Sequence, residues 1–236
     1  MTAPVIEMSG VTAGYESLTA LREVSVTVHA GEVLAVLGAN GAGKSTLLRA
    51  AAGVIRPWAG RVVLDGTDVT RAPAHQRVAR GLCLIPEGRG IFRNLTVAQN
   101  LRLQAGSAER AEAGLDRVAH LFPVLRDRIR QTAGTLSGGQ QQMLAMARAY
   151  LTRPRVVLID EVSMGLAPVV LDDIFAALRT LVADGTALII VEQYVSRALD
   201  LADTAMLLVK GRTAYRGPAT DLDEAAIARD YLGYAS

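Results

Sequence analysis

"VLAVLGANGAGKST" spans Val33 to Thr46. Its first five residues are apolar. The remainder matches G-x-x-x-x-G-K-[ST], with Gly38, Gly43, Lys44 and Ser45 in the fixed places. A buried strand that runs into glycines and then opens a helix is a phosphate cradle. The glycines let backbone amides curl around the anion, and the helix N-terminus adds its dipole. On this reading Lys44 reaches the β- and γ-phosphates of a nucleotide, and the Ser45 hydroxyl ligates Mg²⁺. Asn40, Gly41 and Thr46 belong to the same phosphate-holding loop. A glycine-rich turn that binds nothing would not need a strand before it and a helix after it.

Further apolar runs repeat the first one: Leu82–Ile85, Val156–Ile159, Leu188–Val191 and Met206–Val209. None alternates, which is how strands buried on both faces of a parallel sheet read. Helical patterns such as Leu47–Ala52 and Leu171–Ala183 lie between them. The expected fold is therefore α/β, a phosphate-loop core with a mainly parallel sheet. Two regions break the alternation. Residues 5–30 contain "VSVTVH", Val24–His29, whose period of two predicts an antiparallel β subdomain. Residues 94–150 predict no strand but three helices, over Leu95–Leu103, Arg110–Leu121 and Leu136–Leu151. Ser137 is the expected N-cap of the third, and Pro154 lies beyond its end. The chain thus divides into a core, about 1–86 and 151–236, and a helical subdomain, about 87–150, within a single domain.

The 236 residues suffice for a substantial core, and 50% are hydrophobic, as in globular proteins. A net charge of +2 gives no argument for nucleic acid as a partner. Five arginines between Arg71 and Arg93 form a basic stretch, more readily a solvated face than a docking surface. The single cysteine, Cys83, excludes an intrachain disulfide and reads as a buried structural thiol. Met1–Gly10 lacks a basic start and a long apolar stretch, so no signal peptide is expected. No apolar run approaches the ~20 residues that cross a bilayer, so any membrane role is expected through a partner.

Two more stretches carry chemistry. "VVLIDE", Val156–Glu161, is a strand ending in two carboxylates. Asp160 would hold Mg²⁺ through water, and Glu161 is placed to polarise an attacking water as general base. Two acids capping the next helix is the alternative. "LSGGQ", Leu136–Gln140, puts a Ser and two glycines at a helix N-terminus, which makes a second anion site. One nucleotide does not need two such sites. A dimer resolves this, with the helix capping the γ-phosphate held by the other subunit.

The phosphate loop, "LSGGQ" and "LIDE", in this order and spacing, resemble the ATP-binding subunit of an ABC transporter over nearly the whole chain. The resemblance implies that Tyr15 stacks on adenine. It places Glu87, in "PEGR" (Pro86–Arg89), where most of these ATPases carry a glutamine that touches Mg²⁺ and senses the membrane subunit. A carboxylate is a good hard ligand for that ion, and an ion pair with Arg89 or Arg93 is the alternative. Gln193, in "VEQY", replaces the usual switch histidine, and Ala167, in "SMGLAP", stands where an Asp is usual. With the ending "YLG", Tyr231–Gly233, these departures resemble the LivF-type branch, which serves branched-chain amino acid importers. Val162 departs even from that branch, where a proline follows the Glu.

The resemblance implies ATP and Mg²⁺ as cofactors and a face-to-face dimer in which Ser137 and Gly139 complete the partner's site. It implies a sister ATPase or a second copy of this chain, two membrane permease subunits and a solute-binding protein. The location implied is peripheral, on the cytoplasmic face of the plasma membrane. A groove near Glu87–Arg93 would receive a helix of the membrane subunit. The rival expectations are the matching subunit of a urea or amide importer, a soluble ABC ATPase outside transport, and a regulatory nucleotide-binding module of little turnover.

Overall fold

A computed structural model of the chain describes residues 3–163, 165–192 and 194–222. Strands β1 (Ile6–Tyr15) and β2 (Leu18–Val28) form an antiparallel hairpin. Strand β3 (Val33–Leu37) leads into α1 (Lys44–Ala51). Then come β4 (Ala59–Leu64), β5 (Thr67–Asp68), α2 (Ala74–Ala79) and β6 (Leu82–Ile85). Four helices follow: α3 (Val97–Ala105), α4 (Ala108–Leu121), α5 (Pro123–Asp127) and α6 (Gly138–Thr152). The chain continues through β7 (Val156–Asp160), α7 (Pro168–Ala183), β8 (Ala187–Val191), α8 (Val195–Leu201), β9 (Thr204–Val209) and β10 (Arg212–Pro218).

The strands make two sheets. One is antiparallel, in the order β2-β1-β4-β5. The other runs β10-β9-β3-β8-β7-β6 and is parallel except for its edge strand β10. Parallel register gathers Leu37, Ile85, Asp160 and Val191 at one end of the sheet. That carboxyl end is where open α/β sheets bind ligands.

Burial on both faces explains the uninterrupted apolar runs. Val33, Ala35 and Leu37 join a core with Leu101, Val118, Leu144 and Leu178, from α3, α4, α6 and α7. Leu34 and Val36, between them, join a second core with Met8, Val26, Val62 and Leu48, from β1, β2, β4 and α1. No face of these strands is left for polar residues.

The helical run matches the expectation with small differences. Its three helices start within two residues of the predicted positions, and α5 is an addition. Ser137 is the N-cap of α6, in a reciprocal capping box with Gln140. Between residues 94 and 150, the one β pairing among the described residues is an isolated bridge from Thr96 to Thr132. Helix α1 starts at Lys44, three residues before the apolar pattern does, because the loop's own polar residues form its first turn. Strand β10 lacks an apolar pattern and is mostly exposed. It is held by pairing to β9 and by Arg216, which donates to the carbonyls of Ser25 and Thr27.

The basic stretch is not uniformly a solvated face. Arg77 is buried, and its guanidinium donates to the carbonyls of Ala50 (2.8 Å) and Ala51 (2.7 Å). It also donates to Thr70 and Ala72. It therefore caps the C-terminus of α1, where orphan carbonyls and the helix dipole favour a cation. Burial lowers its pKa, yet a guanidinium keeps its charge. Among the described residues, no helix is long and apolar enough to cross a membrane.

Candidate nucleotide-binding site

Tyr15, Asn40, Gly41, Gly43, Lys44, Ser45, Thr46, Glu87 and Glu161 line one open cleft of about 470 Å³, together with Leu18 and Ala20. Four separate parts of the chain supply it. The hairpin β1–β2 brings Tyr15, the loop after β3 brings residues 40–46, and the ends of β6 and β7 bring the acids. Of the nucleotide-site residues expected from sequence, Gly38, Ser137 and Gly139 are not in its lining.

The loop is shaped by its backbone. Gly43, the N-cap of α1, has φ +107°, and a Cβ there would lie 2.6 Å from the carbonyl oxygen of Ala20. Only glycine fits. The absence of a capping side chain leaves the first amides of α1 free for a ligand. Lys44 folds back over the loop, and its Nζ donates to the carbonyls of Gly38 (2.8 Å) and Ala39 (3.1 Å). Burial lowers its pKa, and the charges of Glu161 and Asp160 oppose that shift.

Behind the loop, Ser45 Oγ donates to Asp160 Oδ1 at 3.0 Å. Asp160 is 3% exposed, and burial raises its pKa. The Ser45 hydrogen bond and the charges of Arg49 and Lys44 pull it back, while Glu87 adds to the rise. Glu161 also has a raised pKa, through burial first and then the charge of Glu87, with Lys44 opposing. Its backbone is left-handed, φ +50°, unusual for a residue with a side chain. Its amide donates to the Val191 carbonyl at 2.9 Å.

Glu87 lines the cleft and makes no ion pair with Arg89 or Arg93 among the described residues. Arg89 turns the other way and donates to Gln141 Oε1 at 2.6 Å. Gln141 in turn donates to the carbonyl of Leu136 (3.0 Å). The segment carrying Glu87 is thereby tied to the start of α6.

Ser45, Asp160 and Glu87 offer oxygen donors only, the set a hard divalent ion such as Mg²⁺ takes. Among the described residues no three acidic, His or Cys side chains form a metal cage of their own. Two carboxylates and a hydroxyl suit an ion whose remaining positions a nucleotide's phosphates and water fill.

Ser137 lies at the surface, beside a groove of about 320 Å³ that Val170, Phe122 and Met143 also line. Gly139 is buried against α7, and a Cβ on it would meet Val170 Cγ1 at 2.7 Å. Packing alone therefore requires that glycine. Gln193, Met164 and Tyr231–Gly233 lie outside the described residues.

Sequence reasoning missed Leu18, Ala20 and Arg49. Arg49 Nη1 donates to the Tyr15 hydroxyl at 2.9 Å. Its spacing held the signal, since Arg49 stands four residues after Ser45 on the same helix.

A family model described as "ABC transporter" matches residues 21–164. The chain is 38% identical over 232 residues to the high-affinity branched-chain amino acid transport ATP-binding protein BraG of Pseudomonas aeruginosa, covering 97% of this chain and 100% of that one. It is 39% identical over 215 residues to a probable branched-chain amino acid transport ATP-binding protein, LivF, of Archaeoglobus fulgidus, covering 90% and 91%. A solved ATP-binding subunit of an ABC transporter superposes with a TM-score of 0.83 at 26% identity, over 98% of this chain and 95% of that one. A cradle for phosphates, two acids at the sheet's carboxyl end and these relatives agree: the chain belongs to the ABC transporter family, among its ATP-hydrolysing subunits.

Proposed function

We propose that this chain energises an importer for branched-chain or related hydrophobic amino acids by binding and hydrolysing ATP with Mg²⁺. The observation that carries the ATPase chemistry is the placement of Lys44, Ser45, Glu87 and Glu161 in one cleft, with Asp160 bonded to Ser45. The solute class is taken from BraG and LivF, because the transported molecule need never touch this subunit.

In this reading Tyr15 stacks on adenine, and the loop from Gly38 through Asn40, Gly41 and Gly43 to Thr46 holds the phosphates. Lys44 leaves its backbone carbonyls and pairs with the β- and γ-phosphates. Ser45, Asp160 and Glu87 would hold Mg²⁺, which would neutralise phosphate charge. Glu161, whose pKa burial raises above the usual carboxylate value, accepts the proton of the attacking water. Gln193 offers an amide for hydrogen bonding near the γ-phosphate, without the charge of a histidine.

Ser137 and Gly139 serve a nucleotide across a dimer, with a sister ATPase or a second copy of this chain. The exposure of Ser137, outside the lining of the chain's own cleft, supports this. Two permease subunits and a solute-binding protein complete the system, and the chain sits at the cytoplasmic face of the plasma membrane. Its core, about 1–86 and 151–236, holds the cleft apart from Glu87, and the helical subdomain, about 87–150, presents Ser137. Between them lies a groove of about 220 Å³ lined by Val54, Val78, Leu84, Pro86, Arg89 and Gln104, among others. It would receive a helix of the permease.

The test is purification from detergent-solubilised membranes and uptake by a strain lacking the gene. Two membrane proteins and an ATPase partner should co-purify, and leucine, isoleucine or valine uptake should fall. Unchanged uptake of all three, with urea or amide uptake lost instead, would overturn the solute assignment.

A further inference from the structure

The segment from Glu161 to Ala167 joins β7 to α7, and its first residues are pinned from one direction. Glu161's amide is held by the Val191 carbonyl at 2.9 Å. Val162's amide donates to Glu192 Oε1 at 3.1 Å, and the Ser163 hydroxyl donates to Glu192 Oε2. Val162, Ser163 and Glu192 are all buried, at 1%, 0% and 3% exposure. Three consecutive residues are thus tied to Val191 and Glu192, at the end of β8.

A buried carboxylate is costly unless it is hydrogen-bonded. A buried amide without a partner is costly too. Here each satisfies the other. The arrangement bears directly on Glu161, whose left-handed backbone has tethers on both sides. Its own amide is bonded to Val191, and the next amide to Glu192. A strained backbone conformation of this kind persists only when its surroundings over-determine it.

We propose that Glu192 is a positioning residue for hydrolysis, one that fixes the backbone of Glu161 by holding the amide of Val162 and the hydroxyl of Ser163. The inference rests on the reading of Glu161 as general base. Glu192 acts through this backbone and touches no reacting atom. Because its own chain continues into Gln193, one side chain links the segment bearing Glu161 to the segment bearing Gln193. What the device requires at position 162 is a backbone N–H. A proline at that position would have no N–H to donate, and its ring would limit φ by itself.

The experiment measures kcat, KM and thermal melting for purified Glu192→Ala, Glu192→Gln, Val162→Pro and the Val162→Pro/Glu192→Ala double variant, beside Glu161→Gln. Glu192→Ala should lower kcat about ten- to a hundredfold, the scale of a small misplacement of a catalytic group, with KM nearly unchanged. Glu192→Gln keeps an acceptor for the Val162 amide and should recover most of the rate. The double variant should be faster than Glu192→Ala, because proline removes the orphan donor. If Glu192→Ala does not fold, Ser163→Ala removes one donor and should show the same fall in kcat at constant KM. Normal turnover by Glu192→Ala, or equal losses of kcat and melting temperature in Glu192→Ala and Glu192→Gln, would overturn the proposal. Normal turnover by Glu161→Gln would instead overturn the reading on which it rests.

Discussion

Ser45 Oγ donates a 3.0 Å hydrogen bond to Asp160 Oδ1, so the first turn of α1 and the end of β7 are joined directly. The two residues are 115 positions apart in the chain. Their contact converts two short motifs into one site. It also holds two oxygen donors side by side, and the serine must turn its lone pair outward to ligate an ion. Asp160→Asn keeps the shape and loses the charge. This variant should need much more Mg²⁺ for half-maximal turnover, about tenfold or more, as charge-assisted contacts carry about 1.5–3 kcal/mol. A Mg²⁺ titration of ATPase rate checks it, and an unchanged midpoint would show that Asp160 is not a metal group.

Glu161→Gln should bind ATP normally and lose most turnover. Gln keeps the volume but cannot take a proton, and a general base contributes about 10²–10⁴-fold. The variant should accumulate as an ATP-bound dimer, read by light scattering. Phosphate release near the parent rate would mean that another carboxylate does this work.

Lys44→Ala and Ser137→Arg should fail in different ways. Lys44 lies in the chain's own cleft, so its loss weakens nucleotide binding, about ten- to a hundredfold for a charged contact. Ser137 is exposed and outside that cleft, so its substitution should spare binding and prevent dimer closure. On a Glu161→Gln background, size-exclusion chromatography with ATP separates the two. A stable ATP dimer of Ser137→Arg would contradict a role across the interface.

The phosphate loop could be read from the chain because its chemistry is local. Glycines, Lys44 and Ser45 must stand at fixed spacing to wrap one anion. The parallel strands could be read because burial on both faces removes polar residues from them. The roles of Arg77 and Glu192 could not. Arg77 caps α1 from 26 residues away, and Glu192 reaches Val162 across 30. Nothing in the local pattern marks which of five nearby arginines folds inward. The Glu87 alternative is undecidable from sequence for the same reason: Arg89 stands two residues away, yet its partner is Gln141, 52 residues on. Strand β10 was missed because pairing to β9, not its own composition, makes it a strand.

Cys83 should be inert in the native protein. Burial raises its thiol pKa from 9.0 to about 11, with the charge of Arg148 opposing. At pH 8 that leaves about one thiol in a thousand ionised, and burial blocks access as well. Iodoacetamide should label the chain only after denaturation. The linkage has a definite sign. The folded chain keeps a proton that the unfolded chain sheds between pH 9 and about 11, so this group's contribution to stability is complete below pH 9 and is lost as pH rises through that window. Cys83→Ala should flatten the decline in melting temperature there. Fast labelling at pH 8 would show that the thiol is reachable.

Arg49 and Tyr15 should act as a unit in holding ATP. The guanidinium meets the phenol at 2.9 Å, and this hydrogen bond is the main cause of Arg49's raised pKa. The ring itself is 39% exposed and faces the cleft, so without that bond it can take other rotamers. Tyr15→Ala removes the stacking surface and should raise the Kd for ATP about fivefold or more, the scale of an aromatic contact of ~1–3 kcal/mol. Tyr15→Phe keeps the ring and loses only the bond, so its effect should be smaller, about two- to threefold. Arg49→Leu should match Tyr15→Phe, and the double variant Tyr15→Phe/Arg49→Leu should be no worse than either, because both remove the same contact. Equilibrium binding of a fluorescent ATP analogue, on the Glu161→Gln background, gives the four values. Additive losses in the double variant would mean that Arg49 acts on the nucleotide by another route, through the charges of Asp160 and Glu87 that also bear on it.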